Sequence, residues 1–318
     1  MKEQFLDRAL ELAERGRGTT HPNPVVGAVV VAGDEIVGEG WHERKGGPHA
    51  EINALAAAGE RARGATVYVT LEPCAHHGST PPCADALIEA GVARVFAGQA
   101  DPVPEHAGGL DRLRAAGVDV QLADDDIAFR CRQQIEEWRT WATARRPFVT
   151  YKVAVTLDGR VTVPGSRWVT GESARRLVHV VRAASDAVAV GMGTVRSDNP
   201  RLDARDVPVL RQPRRIAFGH GPLEEGSELE LRSGPLAEEL EALAADGVQS
   251  LLLEGGPTLA TAFLEQDLVD KLLVFVAPRL SGEGPGMLAG LAHPFELSRL
   301  DARPVGDDLV LQAYIHQP

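Results

Sequence analysis

Short apolar runs alternate along this chain with amphipathic stretches of about ten residues, and that alternation most limits the folds open to it. An amphipathic helix over Met1–Arg15 sets Phe5, Leu6, Ala9, Leu10 and Ala13 on one face. The buried run Val25–Val31, a turn at Ala32-Gly33-Asp34 and a second strand Glu35–Trp41 then read as a hairpin. Helix Pro48–Ala58, strand Thr66–Leu71, helix Pro82–Ala90, strand Ala93–Gly98, helix Ala107–Ala116 and strand Val118–Leu122 follow. This predicts an α/β layered domain with a largely parallel sheet. A polar helix Asp124–Thr143, carrying Cys131, Trp138 and Trp141, leads into the basic Arg145-Arg146-Pro147, taken as a boundary. A second α/β series begins there: strand Phe148–Val155, helix Glu172–Ala183, strands Ala187–Gly191 and Arg215–Phe218, helix Pro235–Ala245 and strand Leu251–Leu253. Helix Pro257–Gln266, strand Leu272–Ala277 and a last strand near Leu309–Ile315 complete it, while Asp203–Pro213 and Gly219–Gly234 read as irregular. Two domains, residues 1–146 and 147–318, suit a chain of 318 residues.

Charge and cysteine content narrow the function. A net charge of −12 argues against a general nucleic-acid binder, since neutralising phosphates takes an excess of Lys and Arg. Three cysteines, Cys74, Cys83 and Cys131, are too few and too odd for a secreted disulfide framework, and a reducing compartment suits them. No apolar run approaches membrane-spanning length, so a cytoplasmic protein without a membrane partner is expected.

The chemistry concentrates in His49-Ala50-Glu51 and in Pro73-Cys74 through Cys83. Zinc takes tetrahedral N and S donors, and a catalytic zinc keeps one position free of protein. His49, Cys74 and Cys83 supply three donors. Pro81-Pro82 puts Cys83 in the first turn of a helix, where the dipole favours thiolate. Glu51 lies roughly 200° around a helix from His49, yet in the first turn both reach a point beyond the helix end. There Glu51 would be the carboxylate that moves a proton beside the metal. A structural zinc knuckle is the other reading; it needs His76 or His77 as a fourth donor and leaves Glu51 without a task. The joint order of His-x-Glu, a strand, then Pro-Cys and a second Cys at a helix start favours the catalytic site.

The series Pro22-Asn23-Pro24-Val25-Val26-Gly27-Ala28, Pro48-His49-Ala50-Glu51, Thr70-Leu71-Glu72-Pro73-Cys74 and Thr80-Pro81-Pro82-Cys83 resembles the cytidine-deaminase-like superfamily. More narrowly it resembles the deaminase half of the bifunctional riboflavin-biosynthesis deaminase/reductase family. Eight residues separate Cys74 from Cys83, where most relatives have Cys-x-x-Cys. The resemblance implies zinc on His49, Cys74 and Cys83, Glu51 as proton shuttle, and Asn23, His42 and His76 as contacts to the aminopyrimidine or its ribose phosphate. Where the family shows Asp-Pro-Asn-Pro, this chain has Asp101-Pro102-Val103-Pro104.

In the second half, Lys152–Arg160, Gly191–Pro200 and Glu254-Gly255-Gly256-Pro257-Thr258-Leu259 each follow or end a strand. Glycines at a strand-to-helix junction let a phosphate approach backbone N–H groups, although they also make good turns. No Gly-x-Gly-x-x-Gly supports a Rossmann reading. Together the segments resemble the family's reductase half, which implies a dihydrofolate-reductase-like fold and NADPH. By that resemblance Ala154, Trp168, Thr194, Asp198, Gly256, Pro257, Thr258 and Leu259 hold NADPH, and Ser166, Arg182, Leu202, Arg205 and Glu254 face the phosphoribosylamino substrate. Arg182 and Arg205 suit its phosphate, since guanidinium binds phosphate bidentately; Lys152 and Asp158 are polar groups near the nicotinamide. The resemblance further implies a homo-oligomer, dimer or tetramer, and two successive reactions on a phosphoribosylaminopyrimidine: hydrolytic deamination of the ring, then reduction of ribosyl to ribityl. The region after Arg205 is short for the family, and Ala217-Phe218-Gly219-His220 stands where an acidic strand end is usual. An active deaminase with a weakened reductase therefore stays open, as does a structural-zinc module with a nucleotide-sensing domain.

Overall fold

A computed structural model describes residues 2–76 and 81–318; His77, the alternative zinc donor, and Gly78, Ser79 and Thr80 lie outside the described residues. The chain forms two compact units, one running to Thr143 and taking in Pro318, the other Ala144–Gln317.

The first unit is built from α1 (Lys2–Glu14), β1 (Gly27–Ala32), β2 (Glu35–Trp41), α2 (Ala50–Ala58), β3 (Thr66–Val69), α3 (Cys83–Glu89), β4 (Arg94–Ala97), α4 (Gly109–Ala115), β5 (Asp119–Leu122), α5 (Asp125–Gln134) and α6 (Glu136–Ala144). Its five-stranded sheet has the order β2-β1-β3-β4-β5. The expected largely parallel sheet is corrected here: β1 is antiparallel to both β2 and β3, and only β3, β4 and β5 run parallel. The hairpin puts β2 on one side of β1, and the chain returns through α2 to place β3 on the other. Alternation along each strand feeds two cores. Val30, Val67, Val69 and Val95 pack on Ala54, Leu87 and Leu113 of the helices on one face. Val29, Val31, Tyr68 and Phe96 meet Phe5, Leu6, Ala9, Ile127 and Cys131 on the other. Cys131 is a core thiol, 1% exposed, and its pKa is pushed up to about 12 by burial.

Helix α2 has alanine at five of its nine positions, and the reason lies under it. A Cβ on Gly38 would stand 2.3 Å from Ala54 O, and one on Gly40 would stand 2.4 Å from Ala50 O. Helix backbone therefore rests directly on strand backbone. The single helix expected over Asp124–Thr143 is broken at Ile135, whose φ of −123° leaves the helical region, and α5 has its own N-cap in Asp124, which accepts from Ile127 N.

The second unit contains β6 (Phe148–Thr156), α7 (Glu172–Ala184), β7 (Ala187–Gly191), α8 (Met192–Asp198), β8 (Arg214–Phe218), β9 (Glu230–Arg232), α9 (Leu236–Ala245), β10 (Ser250–Leu253), α10 (Pro257–Glu265), β11 (Lys271–Ala277), β12 (Ser298–Val305) and β13 (Asp308–Tyr314). The eight strands are ordered β12-β13-β11-β6-β10-β7-β8-β9, and only β13 runs antiparallel to its two neighbours. Central β10 is buried on both faces: Leu251 and Leu253 join Tyr151, Leu240, Leu243 and Phe263, while Leu252 joins Val188, Val190 and Met192. Three elements escape the sequence reading, namely α8, β9 and β12. Strand β12 is exposed along nearly all its length and carries Pro304, the composition of an edge strand. Arg146, in the basic stretch taken as a boundary, is half-buried: it forks onto Asp270 with both distances 2.6 Å, and Asp270 also accepts from Val149 N.

Candidate active site

Two of the three zinc-donor candidates, His49 and Cys83, sit at the start of a helix, and Cys74 lies in the loop that follows β3. His49 is the N-cap of α2, Glu51 lies in its first turn, and Cys83 opens α3 behind Pro82. His49 Nδ1 lies 3.6 Å from Cys74 Sγ and 3.2 Å from Cys83 Sγ, and the three donor atoms all fall within 4.8 Å of one another. Tetrahedral zinc, with Zn–S about 2.3 Å and Zn–N about 2.0–2.1 Å, separates N from S by roughly 3.6 Å. The donor set fits the ion. Cys83 N donates to Cys74 Sγ at 3.3 Å, an outer hydrogen bond of the kind that steadies a thiolate ligand. Hydrogen bonding with Cys83 lowers the Cys74 pKa, and the same pairing together with burial raises that of Cys83.

Glu51 is 3% exposed, and burial raises its carboxyl to about 7, against the lowering pull of His49. A carboxyl so placed both accepts and releases a proton near neutrality. It lies within hydrogen-bond reach of Cys83, so it faces the donor corner.

The corner opens into a cavity of about 250 Å³ whose lining includes Asn23, His42, His49, Glu51, Cys74 and His76. All the residues expected on the deaminase side except buried Cys83 therefore line one space. His42 is engaged on both ring nitrogens, Nδ1 with Pro48 O at 3.0 Å and Nε2 with Asn23 Nδ2 at 3.3 Å. Burial lowers its pKa, and the neutral ring donates from Nδ1 and accepts the Asn23 amide, fixing which way that amide points. The same cavity is lined by Glu72, Asp101, His106 and Trp138, which carried no site role in the sequence. Glu72 stood within the Thr-Leu-Glu-Pro-Cys run and could have been found there; His106 reaches the cavity only through the tertiary path of its loop.

In the second unit two groups of expected residues come together. Glu254 accepts Arg182 Nε at 2.6 Å and Arg182 Nη2 at 3.1 Å, and Lys152 Nζ approaches at 3.3 Å. Arg182 also donates to Asp203 O, and Arg205 pairs with the Asp203 carboxylate at 2.6 Å, next to buried Leu202. The fork of Arg182 is thus directed at Glu254, and Arg205 is the more exposed of the two arginines. Burial alone pushes the Glu254 carboxyl up, but Lys152 and Arg182 overcome it and hold it at about 2.

The second group is the junction of β10 and α10. Gly256 is the N-cap of α10, with Pro257 at its first position and Thr258 and Leu259 following. A Cβ on Gly256 would meet only Thr194 Oγ1, at 3.6 Å, and one on Gly191 would lie 3.5 Å from Leu259. The backbone there faces open space beside unsatisfied helix-start N–H groups, which suits the diphosphate of a dinucleotide such as NADPH. Ala154 lies on β6 opposite Phe275, and Asp198 is exposed at the end of α8, one turn on from Thr194. Trp168 is 47% exposed with the guanidinium groups of Arg167 and Arg175 about 5 Å from its ring, and Ser166 Oγ donates to its carbonyl. Asp158 is occupied by Ser281 N, Gly282 N and Thr156 Oγ1, tying two loops together.

Comparison with known proteins bears on both units. Residues 1–99 match the family model of the cytidine and deoxycytidylate deaminase zinc-binding region, and residues 147–311 match the RibD C-terminal domain. The chain is 39% identical to riboflavin biosynthesis protein RibD of Aquifex aeolicus over 97% of each, and 40% identical to that of Escherichia coli over 97% of this chain and 98% of the other. Among solved structures it resembles Acinetobacter baumannii RibD, with TM-score 0.85 and 35% identity over 98% of both chains. It is equally like a Thermotoga maritima diaminohydroxyphosphoribosylaminopyrimidine deaminase/5-amino-6-(5-phosphoribosylamino)uracil reductase, with TM-score 0.83 and 33% identity over 98% of both.

Proposed function

This chain belongs to the riboflavin biosynthesis protein RibD family, bifunctional enzymes with a zinc-dependent deaminase and an NADPH-dependent reductase, and from that premise we propose which of its residues carry the two reactions. The deaminase substrate is 2,5-diamino-6-(5-phosphoribosylamino)pyrimidin-4-one. His49, Cys74 and Cys83 hold zinc, which when bound polarises the attacking water. Glu51 takes a proton from that water and passes it to the departing nitrogen, so that water and the ring amine become a ring carbonyl and ammonia. Asn23, oriented by His42, holds the ring, and Trp138 helps exclude bulk water. The observation that carries this reading is the buried Glu51 carboxyl facing three zinc donors.

In the second unit Thr194, Gly256, Pro257, Thr258 and Leu259 hold the phosphates of NADPH, with Ala154, Trp168 and Asp198 along the rest of the cofactor. Ser166, Arg182, Leu202, Arg205 and Glu254 receive the deaminated substrate; a hydride goes to the ribosyl C1 and a proton to the ring oxygen, opening ribose to ribityl. Exposed Arg205 offers its guanidinium to the phosphate, and Arg182 orients Glu254. The chain works in the cytoplasm, in keeping with its three unpaired cysteines and with the lack, among the described residues, of any helix long and apolar enough to cross a membrane. It pairs with a copy of itself, as dimer or tetramer, through the sheet edge where Leu300 of β12 and Leu309 of β13 are exposed.

The test is Glu51→Gln. Ammonia release should fall by a factor of about 10²–10⁴ with zinc content unchanged and NADPH oxidation on deaminated substrate retained. Undiminished deamination would sink the assignment.

A further inference from the structure

Besides the zinc donors His49 and Cys74 and the carboxyl of Glu51, the deaminase cavity is lined by His76, Asp101 and His106, and among its described lining residues there is no Lys or Arg. A substrate that presents its ring at the donor corner and carries a phosphate on a ribosyl arm must direct that anion at some hydrogen-bond donor. The imidazoles of His76 and His106 are the candidates. They stack, with ring centroids 4.8 Å apart and planes inclined by 24°. His76 Nδ1 is buried and has no hydrogen-bond partner among the described residues. Val103, on the same loop as His106, packs on the apolar cluster of Leu71, Ile135 and Trp138 and offers no polar side chain.

The loop that brings His106 to the cavity is held unusually firmly. Both of its ends hang on one buried carboxylate: Glu72 Oε2 accepts Asp101 N at 2.9 Å, and Glu72 Oε1 accepts Gly108 N at 2.9 Å and Leu110 N at 3.1 Å. Asp101 Oδ1 caps the turn by accepting Val103 N, and His106 N closes the next turn onto Val103 O. Where the loop becomes α4 it lies on the chain before Cys74 so closely that a Cβ on Gly109 would be 1.7 Å from Pro73 O. A side chain presented on such a clamp loses little freedom on binding, which is what a recognition residue needs.

We propose that His106, stacked on His76, is a specificity-determining residue of the deaminase site that donates a hydrogen bond to the phosphate of the substrate's ribosyl arm, and that Glu72 is the positioning residue that holds it there. This rests on the deaminase reading given above.

The experiment compares deamination of the phosphorylated substrate with that of its dephosphorylated nucleoside form. His106→Phe keeps a ring to stack on His76 but removes the donor; His106→Gln keeps a donor. For the phosphorylated substrate the Phe variant should raise KM by about 10- to 100-fold, the loss of one hydrogen bond to a charged group, with kcat within about twofold. The Gln variant should recover most of it. For the nucleoside the wild type and both variants should share one KM. Retained zinc content certifies the fold, and if the Phe variant loses zinc, the wild-type and Gln KM values for both substrate forms carry the same comparison with His106→Leu as the donorless variant. An equal KM rise on both substrate forms, a loss confined to kcat, or no change at all would overturn the assignment. Deamination that survives Glu51→Gln would instead remove the reading beneath it, so the two failures are told apart.

Discussion

Glu254 is the group whose removal the structure makes most calculable. It is 9% exposed, shares its two oxygens with Arg182 and Lys152, and is held at about 2 against an ordinary 4.5. Burial works the other way, so the lowering comes from the two cations. Linkage converts that difference into about 3 kcal/mol of folding stability at neutral pH. Glu254→Gln preserves shape, leaves two buried cations without a counter-charge, and should cost about that much, within the 3–5 kcal/mol typical of a broken buried pair. In a calorimetric scan of the whole chain the transition to follow is the one that NADPH raises, since a ligand stabilises the unit that binds it. It should fall by about 6–12 °C at pH 7. The sign of the pH dependence follows from the depressed value: the contribution is complete above pH 4.5 and is lost as pH falls toward 2. The gap between wild type and variant should therefore narrow to about 2 kcal/mol by pH 3.5. A gap that stays constant from pH 7 to 3.5 would show that Glu254 acts through packing alone, and equal melting temperatures at pH 7 would refute the argument.

Two further outcomes follow from the architecture. Stripping zinc with a strong chelator should abolish ammonia release yet leave NADPH oxidation on deaminated substrate intact, because the donor set lies wholly in the first unit; a parallel loss of both activities would contradict this. Leu300→Glu should shift the sedimenting species toward the monomer at micromolar concentration, whereas an unchanged distribution would move the self-association elsewhere.

Much of this molecule is legible in its sequence because the decisive signals are local. His49 and Glu51 lie in one helix start, Cys83 opens the next helix behind two prolines, and the apolar runs of β1 and β10 announce buried strands. What stayed hidden depends on partners distant in sequence. The antiparallel pairing of β1 with β3 leaves no mark in either strand, since the same alternation serves both directions. Strand β12 escaped because both its faces meet solvent and its charges and proline read as loop. Arg146 looked like a boundary charge because its partner Asp270 lies far along the chain, and the engagement of Arg182 by Glu254 is likewise a tertiary fact. Glu72 and His106 were invisible as a pair for the same reason.

The glycines beneath α2 carry a consequence for how this family member can vary. Side chains between a helix and a sheet act as a cushion: a lost methyl or an added one is absorbed by small rotations. At Gly38 and Gly40 there is no cushion, because carbonyls of α2 stand where a first carbon would go. The height of α2 above the sheet is thus set by main-chain contact, and with it the place of His49 and Glu51 at the helix's leading end. Substitutions on the outer face of α2 leave the metal corner in place, while those two strand positions have almost no neutral neighbours in sequence space.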